Sequence, residues 1–298
     1  MLLHWYKSLF ADELWVTIHP RELLLQRVSK RLSAHPTPQI LSNKRIEFPH
    51  HLLEKNSDEK NWATLVNYLK LALSEPICQG TVARLVLSNH FVRYAVIPWN
   101  KELFAQDERM AYTKHCFTQA LGENIKGWNM RMSQSTYGQS TIASAVDYTF
   151  LVKVHEVFDA LNMPLVAISP HLMLVINHAL DEVKKTSLVP IMHKDYAFWI
   201  VSIQDQRLCI VLHDQNGWRL VKSLMSEQDV MSQIKTIIHR EAINDDFPKE
   251  LPILVYWPEY QDNKDIKALG GRFIQISPCH VDIQNNMKSN HRHNWALA

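Results

Sequence analysis

Two short segments place polar side chains where a strand ends, a position from which a chain can hold a phosphate or a metal ion. They are residues 16–19 and 201–204. A site for Mg²⁺ and phosphate needs a carboxylate for the ion and a glycine where the backbone approaches the phosphate. The chain has Thr17 with His19 in the first segment and Ser202 with Gln204 in the second. We therefore predict two degenerate phosphate positions and no cofactor.

Other polar clusters could bind a metal ion or act as nucleophiles, but each lacks a required neighbour. The histidines at residues 50–51 and 291–293 have no carboxylate or cysteine at ligand spacing, so we predict no metal site. His115-Cys116 lies in a predicted helix without the glycine turn that exposes a nucleophile. We therefore predict no catalytic residue. His171 and His178 are seven residues apart on one helix face, which we interpret as a half-exposed surface.

The charge of the chain argues against a nucleic-acid partner. There are 32 Lys and Arg against 30 Asp and Glu among 298 residues, so no global basic field is expected. Metal-dependent nuclease chemistry requires converging carboxylates, whereas the first strands carry Thr17 and Ser202. The other candidate carboxylates are Asp147, Glu156, Asp205 and Asp214.

Cysteine spacing and hydropathy predict a cytoplasmic protein. The four cysteines form no CxxC pair, which favours free thiols in a reducing compartment. No stretch approaches the roughly 18 apolar residues of a membrane span, and the amino terminus does not match a signal peptide. Residues 1–10 are rich in apolar side chains with a single lysine. We interpret them as docking onto protein rather than onto a membrane surface.

Periodicity predicts three strands in the first half of the chain, followed by alternating helices and strands. Residues 14–18 and 22–28 form a hairpin around His19-Pro20-Arg21, and a third strand lies within residues 39–48. A helix with Trp62, Leu65, Val66, Leu69 and Leu73 on one apolar face is ended by Glu75-Pro76, before strands at 81–87 and 91–99. The half continues with a helix at 103–121, strands at 128–132 and 141–146, a helix at 148–161, a strand at 165–168 and a helix to about Leu180.

The second half repeats the three-strand start. Strands are predicted at 197–203, 207–212 and 218–224, then a helix opened by a capping box at 226–229. A strand at 252–257, a helix at 263–269 and a strand at 272–276 follow. The polar residues 181–189 mark a boundary, so we predict a first lobe at 1–183, with an insertion at about 89–147, and a second lobe at 190–280. Residues 281–298 are predicted to be a disordered tail.

This element order resembles a known architecture. Strand-strand-strand-helix-strand-helix-strand is the order of the ribonuclease H-like unit, and two such units make the actin-like fold. The predicted fold class is therefore α/β, with two ribonuclease H-like lobes, the first carrying an inserted α+β subdomain. Three runs are similar to the PilM family and to the cytoplasmic part of the GspL family: FVRYAVIPW at 91–99, ASAVD at 143–147 and ALNMPLVAISP at 160–170.

The resemblance implies a cytoplasmic scaffold at the inner face of the inner membrane, in a type IV pilus or type II secretion system. The implied partner is an inner-membrane assembly protein, PilN-like or GspM-like, and a homodimer is a further expectation. PilM-like proteins can bind ATP through an Asp-x-Gly element in each lobe and a glycine pair after the penultimate strand. Here the first four positions are the degenerate ones above, the pair falls at Trp257-Pro258, and Gly270-Gly271 comes one element later.

These departures favour a scaffold without enzymatic activity, whose inserted segment binds a partner. Aromatic side chains often anchor a partner's peptide in a groove, so Trp99, Tyr112 and Phe117 are the partner-binding candidates. Their alternative role is ordinary core of the subdomain. The alternative function is an ATP-binding actin-like ATPase with divergent phosphate loops.

Overall fold

The structure, a computed structural model, describes residues 11–29, 40–48, 62–103, 105–122, 127–185, 197–244, 251–258 and 273–275. The predictions made for residues 1–10, 50–51, 263–269, 270–271, 281–298 and 291–293 lie outside these residues.

The first lobe is built on a five-stranded sheet whose strand order is β3-β2-β1-β4-β8. Its strands are β1 (Glu13–Ile18), β2 (Glu22–Val28), β3 (Ile40–Glu47), β4 (Val82–Leu87) and β8 (Leu165–Pro170). β1, β2 and β3 pair antiparallel, and β1, β4 and β8 pair parallel. β4 is apolar except for Arg84, whose guanidinium pairs with the Glu13 carboxylate at 2.9 Å. This composition suits an interior strand, since parallel strands covered on both faces are nearly continuous apolar runs.

Three helices complete the first lobe: α1 (Trp62–Leu73), α3 (Tyr148–Ala160) and α4 (His171–Lys185). α1 buries Trp62, Leu65 and Leu69 at helical spacing, and the ring centroids of Trp62 and Phe150 lie 4.6 Å apart. Asp147 caps α3, because its carboxylate accepts the backbone N–H of Phe150 at 3.3 Å. α3 is thus fixed against α1 directly after the inserted segment.

The inserted subdomain is a separate three-stranded antiparallel sheet with one helix. It contains β5 (Val92–Ile97), α2 (Gln106–Leu121), β6 (Trp128–Met132) and β7 (Thr141–Asp147), in the sheet order β5-β7-β6. Its core consists of small and apolar side chains around one ring: Phe117, Ala95, Ile97, Met130, Ala143 and Ala145. The small residues on β5 and β7 leave room for Phe117 to reach the sheet.

The second lobe repeats the sheet of the first. Its elements are β9 (Phe198–Gln204), β10 (Arg207–Asp214), β11 (Gly217–Met225), α5 (Val230–Asn244), β12 (Ile253–Tyr256) and β13 (Phe273–Gln275). The strand order β11-β10-β9-β12-β13 is that of the first sheet. Thr17 of β1 pairs with Val86 of β4, and Ser202 of β9 pairs with Tyr256 of β12. Thr17 and Ser202 therefore occupy equivalent places, and the predicted fold class is confirmed.

Three predicted helix boundaries are wrong. α2 begins at Gln106 rather than at residue 103. α4 extends to Lys185 instead of ending near Leu180, because its charged carboxyl-terminal residues remain helical. α5 begins at Val230, and Asp229 caps it by accepting the backbone N–H of Ser232 at 3.0 Å. The capping box predicted at 226–229 therefore starts three residues too early.

The interpretation of His171 and His178 as half-exposed is also wrong. Both side chains are buried, since α4 is covered by the second lobe as well as by its own sheet. Helical spacing identifies which residues share a helix face. Whether that face is buried depends on the second lobe, which comes from a distant part of the chain.

Candidate functional site

The first hairpin turns of the two lobes meet each other. His19 follows β1, Asp205 follows β9, and the imidazole Nδ1 of His19 forms a hydrogen bond with the carboxylate of Asp205. His19 is 2% exposed and the Asp205 side chain 32% exposed. Residues 186 positions apart in the chain are thus joined across the two lobes.

Local backbone geometry aims these two side chains at each other. Asp205 and Gln206 have φ values of 50° and 61°, the left-handed conformation that two-residue hairpin turns require. Aspartate adopts it more readily than most residues. On the opposite side, the backbone N–H of His19 donates to the carbonyl of Glu22 at 2.9 Å. Each hairpin turn therefore presents a polar side chain to the cleft.

Two further histidines surround this bridge. His171 begins α4, and its ring centroid lies 5.1 Å from that of Tyr256 at the end of β12. His90 follows β4, with its Nδ1 3.0 Å from the hydroxyl of Ser88. The cleft is thus lined by side chains from both lobes.

The charges in the cleft influence one another. Burial, together with the charge of His19, lowers the pKa of His171 to about 3, although Asp205 opposes the shift. Burial raises the pKa of Asp205, but the hydrogen bond from His19 and the charges of His19, His90 and His171 lower it, so that it lies below its ordinary value. Near neutral pH, His171 is therefore uncharged and Asp205 ionised.

The predicted phosphate positions lie in or directly after the first strand of each lobe. Thr17 is half-buried in β1, Ser202 is fully buried in β9, and Gln204 ends β9 beside Asp205. Among the described residues, no protein group hydrogen-bonds the Ser202 hydroxyl or the side-chain amide oxygen Oε1 of Gln204. Neither strand offers a carboxylate at these places, and a β-carbon stands where each glycine would be.

These residues do not fit an Mg²⁺–phosphate group. Mg²⁺ is usually held by one or two carboxylates, and Asp205 is already engaged by His19. The place of the glycine pair after β12 is taken by Trp257-Pro258. Among the described residues, no group of three or more His, Cys, Asp or Glu side chains could hold a metal ion.

A second candidate site is a groove of about 780 Å³ in the inserted subdomain. Its walls are the segment after β5, one face of α2 and the β6–β7 hairpin, and it includes Trp99 and Tyr112. We call this site the insertion groove. Pockets of about 300–1,000 Å³ suit drug-sized ligands, so the groove can take a few residues of a peptide.

Aromatic side chains stand exposed at the insertion groove. Trp99 is 39% exposed and Tyr137, in the β6–β7 hairpin, is 84% exposed. Their ring centroids are 5.0 Å apart in an edge-to-face arrangement. Tyr112 lies on the α2 wall, where burial and the neighbouring Cys116 raise its pKa. Phe117 differs from these three, because its side chain is fully buried in the subdomain core.

The hairpin wall of the insertion groove is fastened to the second lobe. The amide of Gln139 donates to the Gln215 carbonyl at 3.0 Å, and the backbone N–H of Ser140 donates to the Asn216 carbonyl at 3.0 Å. Gly217 follows with a φ of +99°, and a β-carbon there would lie 2.6 Å from the Ser140 carbonyl oxygen. Only glycine permits this close approach.

Sequence reasoning did not assign a role to three of the residues that shape these sites. Asp205 is named above only as a candidate nuclease carboxylate. Tyr137 lies between the strands predicted at 128–132 and 141–146, and Gly217 lies between those predicted at 207–212 and 218–224. Their positions in turns carried a usable signal, since connecting segments on a rigid scaffold carry functional residues disproportionately. Which turns face each other, however, depends on how the lobes pack.

Comparison with known proteins supports the fold. No protein-family model matches the chain, and no curated protein matches it in sequence. Among solved structures, the PilM–PilN type IV pilus biogenesis complex aligns with a TM-score of 0.60 at 13% identity, covering 92% of this chain and 90% of that one. The cytoplasmic domain of EpsL, an inner-membrane component of the Vibrio cholerae type II secretion system, aligns with a TM-score of 0.54 at 7% identity, covering 97% and 99%.

A third structure, from Bacteroides thetaiotaomicron, has an actin-like ATPase fold and unknown function. It aligns with a TM-score of 0.55 at 10% identity, covering 92% of this chain and 93% of that one. The chain therefore has the actin-like ATPase fold, and it is similar in structure to PilM and to the EpsL cytoplasmic domain. None of the helices in the described part combines the length and apolar content that a membrane crossing needs.

Proposed function

We propose that this protein is a non-catalytic cytoplasmic scaffold of a type IV pilus or type II secretion-like assembly, and that its insertion groove binds a cytoplasmic segment of an inner-membrane partner. The observation that carries the proposal is the exposed Trp99–Tyr137 pair at the mouth of a 780 Å³ groove. Aromatic anchors in such grooves dominate many peptide interfaces. The likeness to PilM bound to PilN and to EpsL supports the kind of assembly.

The proposal that the protein is non-catalytic rests on the residues of the interlobe cleft. In place of a carboxylate and glycines at the two turns, the chain has a direct side-chain bridge between the lobes, from His19 to Asp205. This bridge uses the carboxylate nearest to the phosphate positions. The scaffold would therefore hold its lobes together without a nucleotide.

Co-purification from detergent-solubilised membranes tests the proposal. The full chain should retain an inner-membrane pilus or secretion component, identified by mass spectrometry, and the double variant Trp99→Ala/Tyr137→Ala should lose at least about 10-fold of it, since truncated hot spots cost about 2 kcal/mol or more. Tyr148→Ala is the matched control, because Tyr148 is an exposed aromatic residue that does not line the groove. Equal recovery by all three proteins would contradict the groove assignment.

A further inference from the structure

The charges of the insertion groove have a single sign. Its lining includes Lys101 and Arg109, and among the described residues that form the lining there is no Asp or Glu. Both cations are exposed, and neither forms an ion pair within the described part of the chain. The groove thus offers two uncompensated positive charges beside its aromatic side chains.

The acidic residues nearby in the chain do not enter the lining of the groove. Glu108 reaches back to its own helix end, where its carboxylate accepts the backbone N–H of Ala105 at 3.1 Å. Glu102 and Asp107 are exposed and lie outside the lining. Glu108 keeps its charge, but its carboxylate is held at the start of α2 and outside the lining, so Lys101 and Arg109 are the charged side chains among the described residues that line the groove.

The two cations are placed on different walls. Lys101 lies in the segment after β5, two residues from Trp99, and Arg109 lies one helical turn before Tyr112 on α2. Each wall therefore pairs a cation with an aromatic ring. A bound segment would therefore meet both apolar and positive surface on each wall.

We propose, building on the proposed function, that the insertion groove selects a short peptide segment that combines acidic side chains with apolar or aromatic ones. Carboxylates contact Lys101 and Arg109, while apolar side chains pack against Trp99, Tyr112 and Tyr137. Complementary charge chiefly sets specificity and the rate of association, and the aromatic contacts supply most of the affinity. A basic segment of equal hydrophobicity is rejected by like charge.

Selection from a random 12-residue peptide display library, using the full chain, tests this proposal. We expect the retained peptides to be enriched in both Asp/Glu and apolar residues relative to the starting library. The double variant Lys101→Glu/Arg109→Glu should lose the acidic enrichment. Lys114→Glu is the matched control, because Lys114 is exposed on the same helix outside the groove lining, and it should select as the wild type does.

Affinity measurements then isolate the charge. Fluorescence polarisation with the most enriched peptide should show a loss of about 5-fold for each exposed cation neutralised, which corresponds to the upper range for surface ion pairs. Binding should also weaken as salt rises from about 0.05 to 0.5 M, because salt screens exposed charges.

The outcomes separate this inference from the proposed function. Retained peptides that are neutral or basic, and that still require Trp99, would overturn the acidic preference while leaving the groove as a partner site. Selection that is unchanged by Trp99→Ala, or the absence of any enrichment, would overturn both.

Discussion

Replacing Asp205 by asparagine should loosen the two lobes from each other. The substitution removes the carboxylate that accepts from His19, while asparagine still tolerates the φ of 50° at this position. The variant therefore changes the interlobe bridge without disturbing the β9–β10 turn. Alanine would confound the two effects, because its β-carbon is strained in a left-handed conformation.

The expected loss follows from burial. A hydrogen bond to a charged group contributes about 1.5–3 kcal/mol. The 32% exposure of Asp205 lets water screen the bridge, which lowers the expected loss to about 1–2 kcal/mol. Since about 1 kcal/mol changes the melting temperature of a large domain by roughly 2–4 °C, Asp205→Asn should melt about 2–8 °C below the wild type.

Calorimetry and hydrogen exchange provide the measurement. Amides of residues 19–22 and 204–207 should exchange faster in Asp205→Asn, whereas Asp159→Asn, which removes an exposed helix carboxylate, should change neither quantity. A double-mutant cycle with His19→Gln should give a coupling energy of about 1 kcal/mol. If the two substitutions are additive within about 0.3 kcal/mol, the bridge does not hold the lobes and the reasoning is refuted.

Three further predictions address the cleft, the groove and the buried histidines. Millimolar Mg-ATP should not raise the melting temperature; a rise of several degrees would support the ATPase alternative, since a ligand at about 100 times its Kd stabilises by about 2.7 kcal/mol. Gly217→Ala should lower the free energy of unfolding in urea by about 1–3 kcal/mol beyond Gly138→Ala, because both glycines have positive φ but only Gly217 approaches Ser140 closely; equal losses would show that the contact is unimportant. Burial lowers the pKa of His171 to about 3 and that of His213 to about 4, so the unfolded chain binds more protons and stability should fall, by about 1.4 kcal/mol per pH unit for each histidine, as pH drops from about 6.5 towards 4. His171→Phe should flatten this slope in urea titrations at several pH values, and an unchanged slope would contradict the assignment.

Much of the fold could be predicted because its elements have strong periodic patterns. β1 and β2 alternate around a turn, β4 is apolar except for Arg84, and α1 has its apolar residues on one face, so local preference and tertiary position agree. The element order then led to the actin-like fold. The carboxyl-terminal end of α4 and the starts of α2 and α5 were not predicted, since residues near a helix end are compatible with either helix or loop.

The sites could be predicted in part. Trp99 and Tyr112 do line the insertion groove, but Phe117, from the same segment, packs into the core. The sequence pattern of an aromatic residue on an amphipathic helix is the same whether that helix face packs on a sheet or binds a partner. Tyr137 was not predicted, because a turn lacks the regular spacing of apolar residues that identifies one face of a helix or strand.

What the sequence determined by itself is the absence of a carboxylate and a glycine at Thr17, His19, Ser202 and Gln204, since residue type alone decides whether such a position can hold Mg²⁺ and phosphate. Only the tertiary structure decided what these turns do instead, which is to join the two lobes. His19 and Asp205 lie on separate hairpins of separate lobes, and no local pattern relates two turns that are 186 residues apart. Their meeting depends on the packing of the two lobes, which many weak contacts throughout the chain determine together.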